Sequence, residues 1–480
     1  MMTGDISPET DFLIAISHSE KQNGISLLYN VGICVTFKKI GKEGTRDMQR
    51  KTDAANRLLQ LIQEGTSPFH VVQAAVRRLL EAGFEELKLG RDWGLNNGGK
   101  YFMVHHGSSL LAFTIGEHFT FRDSVRIAAA HTDFPGLRIK TRPEVEKEGY
   151  GQLNVEVYGG AILNTWLDRP LSAAGRVALR SDQAFYPRMR LVDLKKPLFT
   201  VPNVAIHLEK EINKGLELNR QKDLLPLAGL VGETDGEKPE EFFLQALARE
   251  LETEPEEILD FELGLYNTDT GDFLGLEEEF LSAPRLDDLT GVEAVLAGIL
   301  EGSRERGINV AAFFDHEEVG SKTKQGAGSA LLSVVLEKIL LSFGRDRQQF
   351  LEVLSDGMLL SVDVGHAIHP NKADKSDITA KGILGKGLLI KENSSQAYAT
   401  DCEAIAIVQQ LCREQEIPFQ KVTNRSDVTG GSTLGPIASA MLPVRTVDIG
   451  VPLLAMHSAR ELMGTGDQEG LVRLLKSYFS

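Results

Sequence analysis

The sequence predicts an α/β fold that carries an inserted β-rich domain. Two parts of the chain, residues 48–140 and 285–480, alternate short apolar runs of strand length with amphipathic helical patterns. Between them, residues 141–284 contain strand-like runs separated by turns and polar stretches. The apolar runs of the outer parts end abruptly in histidine and carboxylate residues, as strands do at the ligand-binding edge of an α/β sheet. These observations predict one α/β domain that a second, β-rich domain interrupts.

The composition is that of an ordinary globular protein, with 42% hydrophobic and 25% charged residues among 480. A formal net charge of −16 argues against nucleic acid or anionic membranes as the main partner. Three cysteines without paired spacing are typical of a reducing compartment and leave any metal site to histidine and carboxylate. No apolar run reaches about 18 residues and we recognise no secretion signal, so we expect a cytoplasmic protein.

The first 47 residues lack clear helical or strand periodicity. An amphipathic pattern then predicts a helix that includes residues 58–62 and a second helix over residues 69–82. Because Met48 stands just before this pattern, we expect residues 1–47 to be a loosely attached extension with an upstream start that is not used. The intact mass of the protein made from its natural gene tests this expectation.

The next predicted strand, residues 125–130, is followed at once by His131 and Asp133. A histidine taken alone at such a place is often structural. Asp133 can accept the proton on the second ring nitrogen of His131, which is the usual arrangement of metal-binding histidines. The pair therefore indicates a metal ligand and a residue that orients it.

The middle part, residues 141–284, is predicted from strand-like runs and one helix over residues 241–251. The strand-like runs are residues 153–158, 175–179 and 205–208. His207 lies in the last of these runs and, taken alone, is interpreted as structural.

Asp287 and Asp288 stand shortly before a predicted helix over residues 292–300. Paired aspartates at a helix start are usually N-caps, because their carboxylates accept free N–H groups and oppose the positive end of the helix dipole. Capping and metal ligation are both open interpretations of this pair.

The apolar run Ile308–Phe314 has the length and residue types of a buried strand and ends in four charged or polar residues. Adjacent side chains on an extended chain point to different sides, so Glu317 and Glu318 can serve different purposes. One of them could bind a metal while the other handles a proton. The alternative is an ordinary acidic turn.

Two more predicted strands lead into polar residues. Met358–Val362 leads into Asp363, and residues 444–449 lead towards His457. The glycine-rich residues 429–435 lack the Lys-Ser/Thr pair of a P-loop and predict a tight turn near a substrate rather than a nucleotide site. Helices are predicted over residues 330–341, 401–412 and 471–478.

Seven polar residues thus follow apolar strands or open helices: His131, Asp133, Asp287, Glu317, Glu318, Asp363 and His457. A common site explains this recurrence better than seven separate caps or surface charges do. Imidazole and carboxylate ligands without cysteine suit two zinc ions. Paired ions about 3.5–4 Å apart can activate water and polarise an amide carbonyl.

At these residues the chain resembles the family of aspartyl aminopeptidases and vacuolar aminopeptidase I, which are dinuclear zinc exopeptidases. The similarity covers about residues 52–470. The shared blocks, in consistent order, are residues 130–133, 167–171, 174–177, 205–208, 286–289, 317–321, 325–327, 361–363, 366–371 and 454–458.

The resemblance implies a zinc exopeptidase fold, with a central mixed sheet flanked by helices, and two zinc ions per subunit. It implies five metal ligands: His131, Asp287, Glu318, Asp363 and His457. Asp287 is expected to bridge the two ions. Glu317 is the implied general base, and Asp133 is the implied partner that orients His131.

The family's inserted domain mediates dimer contacts, and dimers are expected to assemble into a dodecamer. His207 is expected to reach the active site of the neighbouring subunit, where it helps to stabilise the oxyanion. Lys391 is expected to pair with an acidic first side chain, and His369, rather than His366, to contact the substrate.

The implied function is removal of N-terminal aspartate and glutamate from peptides by zinc-activated water. One alternative is an aminopeptidase of other or broader preference, with Lys391 as a plain surface charge. Another is a metal-dependent deacylase of N-acyl amino acids. A non-catalytic assembly or cargo protein would have lost Glu317 or a metal ligand, and none is lost.

Overall fold

The structure is a computed structural model that describes residues 42–480 apart from Phe121, Leu216, residues 231–240 and Thr429, with side chains from residue 53 onwards. The α-helices of this part of the chain are α1 (Lys42–Glu64), α2 (Pro68–Glu81), α3 (Phe242–Glu250), α4 (Leu286–Glu301), α5 (Leu331–Ser342), α6 (Arg347–Ser355), α7 (Cys402–Glu414), α8 (Leu434–Met441) and α9 (Thr465–Tyr478). The β-strands are β1 (Glu85–Glu86), β2 (Lys100–His105), β3 (Ser109–Ile115), β4 (Val125–His131), β5 (Gly136–Lys147), β6 (Tyr150–Tyr158), β7 (Leu171–Leu179), β8 (Arg188–Asp193), β9 (Leu227–Leu230), β10 (Ile258–Asn267), β11 (Asp272–Leu274), β12 (Phe280–Ala283), β13 (Ile308–Phe314), β14 (Met358–Val362), β15 (Gly365–His366), β16 (Leu388–Glu392), β17 (Phe419–Thr423), β18 (Arg445–Gly450), β19 (Pro452–Leu454) and β20 (Glu461–Gly464).

The largest sheet has nine strands in the order β1-β2-β3-β13-β4-β14-β18-β16-β17. Its four middle strands, β13, β4, β14 and β18, are parallel, while β3 and β16 run antiparallel to their inner neighbours. The sheet is therefore mixed, and the predicted α/β fold class is confirmed. All residues of β13 and β14 are buried, which explains why the sequence shows them as continuous apolar runs.

Helices cover both faces of the nine-stranded sheet. On β13, Ala311 and Phe313 belong to the apolar core that also contains α1, α2, α4, α7 and α9. The alternate residues Val310 and Ala312 belong to a second core with α5, α6 and α8. Because the middle strands are buried on both sides, polar side chains that line an open cavity are expected at their ends.

A second sheet has six strands in the order β8-β7-β10-β5-β6-β9, and its strand pairs are antiparallel. It has its own apolar core, in which Leu153, Val177 and Leu263 pack with Phe243 and Leu247 of α3. The predicted insertion, residues 141–284, contains most of this sheet. The sheet begins earlier, at Gly136, and the hairpin of β11 and β12 belongs to a third sheet with the order β11-β12-β20-β19-β15.

The structure departs from the predicted elements at four places. Residues 205–208 form a turn instead of a strand, because their apolar side chains are exposed and find no core to pack against. Helices α4 and α9 begin earlier than predicted, at Leu286 and Thr465. Helix α1 begins at Lys42, so the end of the predicted extension is helical, whereas residues 1–41 lie outside the described residues. None of the described helices is both long and apolar enough to cross a membrane.

Candidate metal centre

Three of the parallel middle strands present polar residues at the same edge of the nine-stranded sheet. His131 is the last residue of β4, and Asp363 directly follows β14. Glu317 and Glu318 form a short 3-10 turn just beyond β13. The register places Phe314 of β13 beside His131, so the ends of neighbouring strands meet at one place. The common site predicted from strand ends therefore has a structural basis.

Two further residues reach this edge from other elements. Asp287 lies at the start of α4, where its backbone angles are non-helical. His457 lies just after β19 of the third sheet. The Oδ1 atom of Asp287 is 3.3 Å from Nε2 of His131, and its Oδ2 atom is 3.3 Å from Nε2 of His457. One carboxylate thus faces both histidines.

The donor atoms form three groups, of which one contains His131, Glu317 and Glu318 and the other two share Asp287. The first of these two contains His131, Asp287 and Asp363, and the second contains Asp287, Glu318 and His457. Within each group the donor atoms lie within 4.8 Å of one another. Imidazole and carboxylate donors at this spacing suit zinc. Oδ1 of Asp287 and Oε1 of Glu318 are buried without a hydrogen-bond partner, as expected of atoms whose partner is a cation.

The electrostatics of the cluster favour a bound cation. Burial raises the pKa of Glu318 well above its usual value, and the carboxylate of Asp287 raises it further. Burial lowers the pKa of His131, but the carboxylates of Asp133, Asp287 and Asp363 outweigh it and raise that pKa well above 6.5. Protons bound to His131 and Glu318 therefore offset negative charge that a bound metal ion would otherwise neutralise.

Glu317 does not belong to either of the two groups that share Asp287. Its carboxylate makes no hydrogen bond or ion pair with the described residues, although it lies within 4.8 Å of the donor atoms of His131 and Glu318. Burial first, and then the nearby Asp363 and Asp133 carboxylates, raise the pKa of Glu317 to about 8. A free carboxylate in this place can take up and release a proton near neutral pH.

Asp133 positions three residues of the cluster through its contacts with His131, Glu317 and Glu318. Nδ1 of His131 lies 3.0 Å from the main-chain oxygen of Asp133 and 3.4 Å from its carboxylate, which leaves Nε2 free to bind metal. The same carboxylate accepts hydrogen bonds from the main-chain N–H groups of Glu317 (3.0 Å) and Glu318 (3.1 Å) and from the hydroxyl of Tyr158 (2.7 Å). The closest acceptor for His131 is thus the carbonyl oxygen, which sequence reasoning did not consider.

Asp288 has a different role from Asp287. Its carboxylate accepts the N–H of Gly291, three residues along α4, and also the main-chain N–H of His131 at 3.3 Å. The capping interpretation therefore fits Asp288, whereas the side chain of Asp287 points to the two histidines. Sequence reasoning missed the bond to His131 because the two residues are 157 positions apart.

The metal centre opens into a cavity of about 380 Å³. A second cavity of about 350 Å³ adjoins it, and the two share a wall made by Gly365, His366, Tyr398 and Gly431. The second cavity is lined by basic residues that include Lys372, Lys375, Lys381, Lys391 and Arg425. A negatively charged substrate group next to the metal centre would therefore meet an excess of positive charge.

Lys391 is a buried residue of β16 that is 1% exposed, so its interpretation as a plain surface charge is wrong. Its ammonium donates to the main-chain oxygens of Val364 (3.0 Å) and Asp363 (3.4 Å). It also lies 3.7 Å from the carboxylate of Asp363, which raises its pKa despite the opposing effect of burial. Lys391 therefore touches both the second cavity and a metal-site residue.

Two other predicted residues lie away from the metal cluster. His369 lines the second cavity only, whereas His366 lines both cavities, and the sequence motif alone did not show which histidine is nearer the metals. His366 is only three residues beyond Asp363, and this short spacing could have indicated that His366 lies on the wall of the metal-centre cavity. His207 is exposed on its turn and does not join the cluster within its own chain.

The sequence profile of the Aminopeptidase I zinc metalloprotease (M18) family matches residues 61–479. A curated relative from Clostridium novyi (strain NT), named probable M18 family aminopeptidase 2, is 44% identical over 434 residues, which cover 90% of this chain and 100% of the relative. The matched range contains the positions of every residue of the metal cluster.

Solved structures show the same architecture. The structure of the Ape4 and Nbr1 complex matches with a TM-score of 0.86 and 33% identity, over 92% of this chain and 87% of that chain. The S. cerevisiae mApe1 dodecamer matches with a TM-score of 0.77 and 25% identity, over 89% of this chain and 96% of that chain. The fold described above is therefore shared along nearly the whole of the compared chains.

Proposed function

The chain belongs to the M18 family of zinc metalloproteases, and we propose that it removes aspartate and glutamate from the amino ends of peptides. Family membership makes it a metal-dependent aminopeptidase, as its relatives are named. The preference for acidic first residues goes further and depends on one observation, the lysine-lined cavity that shares a wall with the metal centre.

The proposed centre holds two zinc ions per subunit. His131, Asp287 and Asp363 would hold one ion, and Asp287, Glu318 and His457 the other. The two unpartnered buried oxygens and the cysteine-free donor set support this occupancy. Bound zinc lowers the pKa of a coordinated water towards about 7 and polarises the carbonyl oxygen of the scissile bond.

Glu317 is proposed as the general base. Its carboxylate has no partner among the described residues and so is free to accept the proton of the attacking water. It then returns that proton to the nitrogen of the leaving amine, so that the proton balance closes within one residue. Asp133 keeps Glu317 in place through the main-chain N–H of Glu317.

The acidic first side chain is proposed to enter the second cavity. Lys391 forms part of its inner wall, and His369, Lys372, Lys375 and Lys381 line it as well. Positive charge in a partly enclosed cavity favours a carboxylate over an apolar side chain, because the carboxylate regains charged hydrogen bonds that it loses with water. The cationic amino terminus would remain beside the carboxylates of the metal centre.

Self-association is part of the proposal. One similar structure is a dodecamer, and apolar side chains of Val204, Ile206 and Leu208 are exposed around His207. Exposed apolar side chains that cluster on a turn are typical of an interface. We propose that His207 acts in the neighbouring subunit's site, where an imidazole N–H would stabilise the developing oxyanion.

The test is release of the first amino acid from peptides that differ only in that residue, which is Asp, Glu, Leu or Ala. Zinc-loaded wild type should prefer Asp and Glu. Glu317→Gln should lower kcat by about 100- to 10,000-fold on every peptide while it keeps its zinc, because only proton transfer is lost.

Other outcomes select among the alternatives. Equal or better cleavage of Leu and Ala peptides keeps the metalloaminopeptidase and rejects the acidic preference. Cleavage of N-acyl amino acids without cleavage of peptides supports the deacylase. Wild-type activity in Glu317→Gln would remove Glu317 from the mechanism.

A further inference from the structure

Glu461 is a buried carboxylate next to the metal centre that the proposed mechanism does not use. It opens β20 and is 2% exposed. Its Oε1 atom accepts the main-chain N–H of His457 at 2.7 Å, and its Oε2 atom accepts the main-chain N–H of Asp287 at 3.1 Å. One carboxylate therefore holds the backbones of two proposed metal ligands.

Among the described residues no Lys or Arg forms an ion pair with this carboxylate, although the charge of the buried Arg285 interacts with it and Asp287 adds a negative charge nearby. Burying a carboxylate without a cationic partner costs folding free energy, because its hydration is lost. Burial and the Asp287 carboxylate raise the pKa of Glu461 to about 8, and the main-chain N–H groups of Asp287 and His457 oppose this rise. The two N–H bonds to ligand residues are the contacts that its charge strengthens.

The backbone of His457, which Glu461 holds, is in a conformation that needs support, and the turn just before Asp287 contains another such residue. His457 has a φ of 66°, in the left-handed region that non-glycine residues rarely adopt. Arg285, two residues before Asp287, has a φ of 60°. These two turns come from the third sheet and from α4, and no regular sheet or helix hydrogen bond links His457 directly to Asp287. Glu461 supplies that link.

We propose that Glu461 is a positioning residue that couples the two ion sites, a role that rests on the proposed two-zinc centre. By holding both N–H groups it fixes the distance between Nε2 of His457 and Oδ2 of Asp287, which is 3.3 Å. Asp287 would serve both ions, so the carboxylate that positions its backbone would control the geometry of the shared ligand. The ion that His457 and Glu318 would help to hold would depend on this link most.

The test is zinc binding by Glu461→Gln, measured by calorimetric titration of the zinc-free protein. Glutamine keeps one acceptor oxygen, but its NH₂ group cannot accept the other N–H. Wild type should bind two ions per subunit, whereas the variant should bind one of them about 10- to 100-fold more weakly. Its kcat should fall with little change in KM, and added zinc should restore kcat, which a purely structural defect would not allow.

Glu293→Gln is the matched control. Glu293, on α4, is a buried carboxylate like Glu461, but it pairs with Arg57 and Arg78 and does not contact the proposed metal ligands. It should bind both ions as wild type does. If Glu461→Gln does not fold, Glu461→Asp takes its place, since its shorter side chain cannot reach both N–H groups at their present distances.

Failure of the two-zinc centre and failure of the positioning role give different results. Wild type that binds only one ion refutes the two-zinc centre itself. Wild type that binds two ions, together with a Glu461 variant that binds both with unchanged affinity, overturns the positioning role alone.

Discussion

Lys391 and Asp363 form a contact at the boundary between the two cavities, with the ammonium 3.7 Å from the carboxylate and 3.4 Å from the main-chain oxygen of the same residue. The lysine therefore faces a metal-site residue on one side and the proposed pocket for the first side chain on the other. The proposed substrate preference and the geometry of the proposed metal site therefore both involve this side chain.

We predict that Lys391→Met lowers the preference for Asp over Ala peptides, measured as the ratio of kcat/KM values, by about 10- to 100-fold. A hydrogen bond to a charged group contributes about 1.5–3 kcal/mol, and the methionine cannot supply it. Zinc affinity should not fall, because the substitution removes a positive charge 3.7 Å from the Asp363 carboxylate and so reduces the repulsion of a bound cation.

Lys421→Met is the matched control, since Lys421 lies on the neighbouring strand β17 and pairs with Glu392 at the surface. It should keep the preference of wild type. An unchanged ratio in Lys391→Met would assign the preference to the other basic residues of the cavity.

The strand ends of the metal site could be predicted from sequence because the middle strands are buried on both faces. Such strands appear as unbroken apolar runs, so the polar residue that follows marks the edge of the sheet. This reasoning located His131, Glu317 and Asp363, each at or just beyond the end of a parallel strand. These positions could be predicted from the local sequence pattern alone.

The supporting contacts could not be predicted because they join distant parts of the chain. Asp288 contacts His131 across 157 positions, and Glu461 contacts Asp287 across 174 positions. A lysine such as Lys391 gives no local sign that it is buried in a strand. The turn at His207 misled the prediction, because exposed apolar residues have the same composition as a strand.

The zinc-free protein should lose stability as pH rises, whereas the zinc-bound protein should not. Burial and nearby carboxylates raise the pKa of Glu317 from 4.5 to about 8, and nearby carboxylates raise the pKa values of His131 and His457 above 6.5 despite burial. Each raised pKa means that the folded state holds a proton more tightly than the unfolded state. The stability that this provides is present at pH 4.5 and is lost as pH rises through about 8.

The measurement is the melting temperature, with and without excess zinc, at pH 5.5 and 8.5. Zinc needs deprotonated ligands, so its stabilising effect should increase with pH and widen the difference between the two forms. The two histidines lower the pKa of Asp287 despite burial. The titration of this carboxyl group therefore changes stability only below about pH 4, outside this pH range. A zinc-free melting temperature that rises between pH 5.5 and 8.5 would contradict the prediction.

Asp448 should be essential for the wall that separates the two cavities. This fully buried carboxylate accepts hydrogen bonds from the hydroxyls of Ser361 (2.5 Å) and Thr433 (2.6 Å) and from the N–H of Ala399 (2.7 Å). Asp448→Asn replaces one acceptor by a donor that faces these donors. We expect the free energy of unfolding to fall by about 1–3 kcal/mol in urea titrations and KM to rise.

Asp401→Asn provides the control for the same chemical change. Asp401 is the N-cap of α7 and accepts the N–H of Ala404 at 2.9 Å, and asparagine caps helices about as well as aspartate. Its stability and KM should stay close to those of wild type. Equal effects of both substitutions would show that Asp448 has no special place in the cavity wall.

The role of His207 can be decided by mixing two inactive variants. His207→Ala and Glu317→Gln should each have low activity, because one lacks the proposed oxyanion donor and the other lacks the base. In a mixed dimer, the subunit with intact Glu317 would receive His207 from its Glu317→Gln neighbour, so one complete site would form. Random exchange of subunits between symmetric dimers should restore about a quarter of wild-type activity.

If His207 acts within its own chain, every site in the mixture stays incomplete and activity does not recover. His207 is exposed and lies outside the metal cluster of its own chain, which favours recovery.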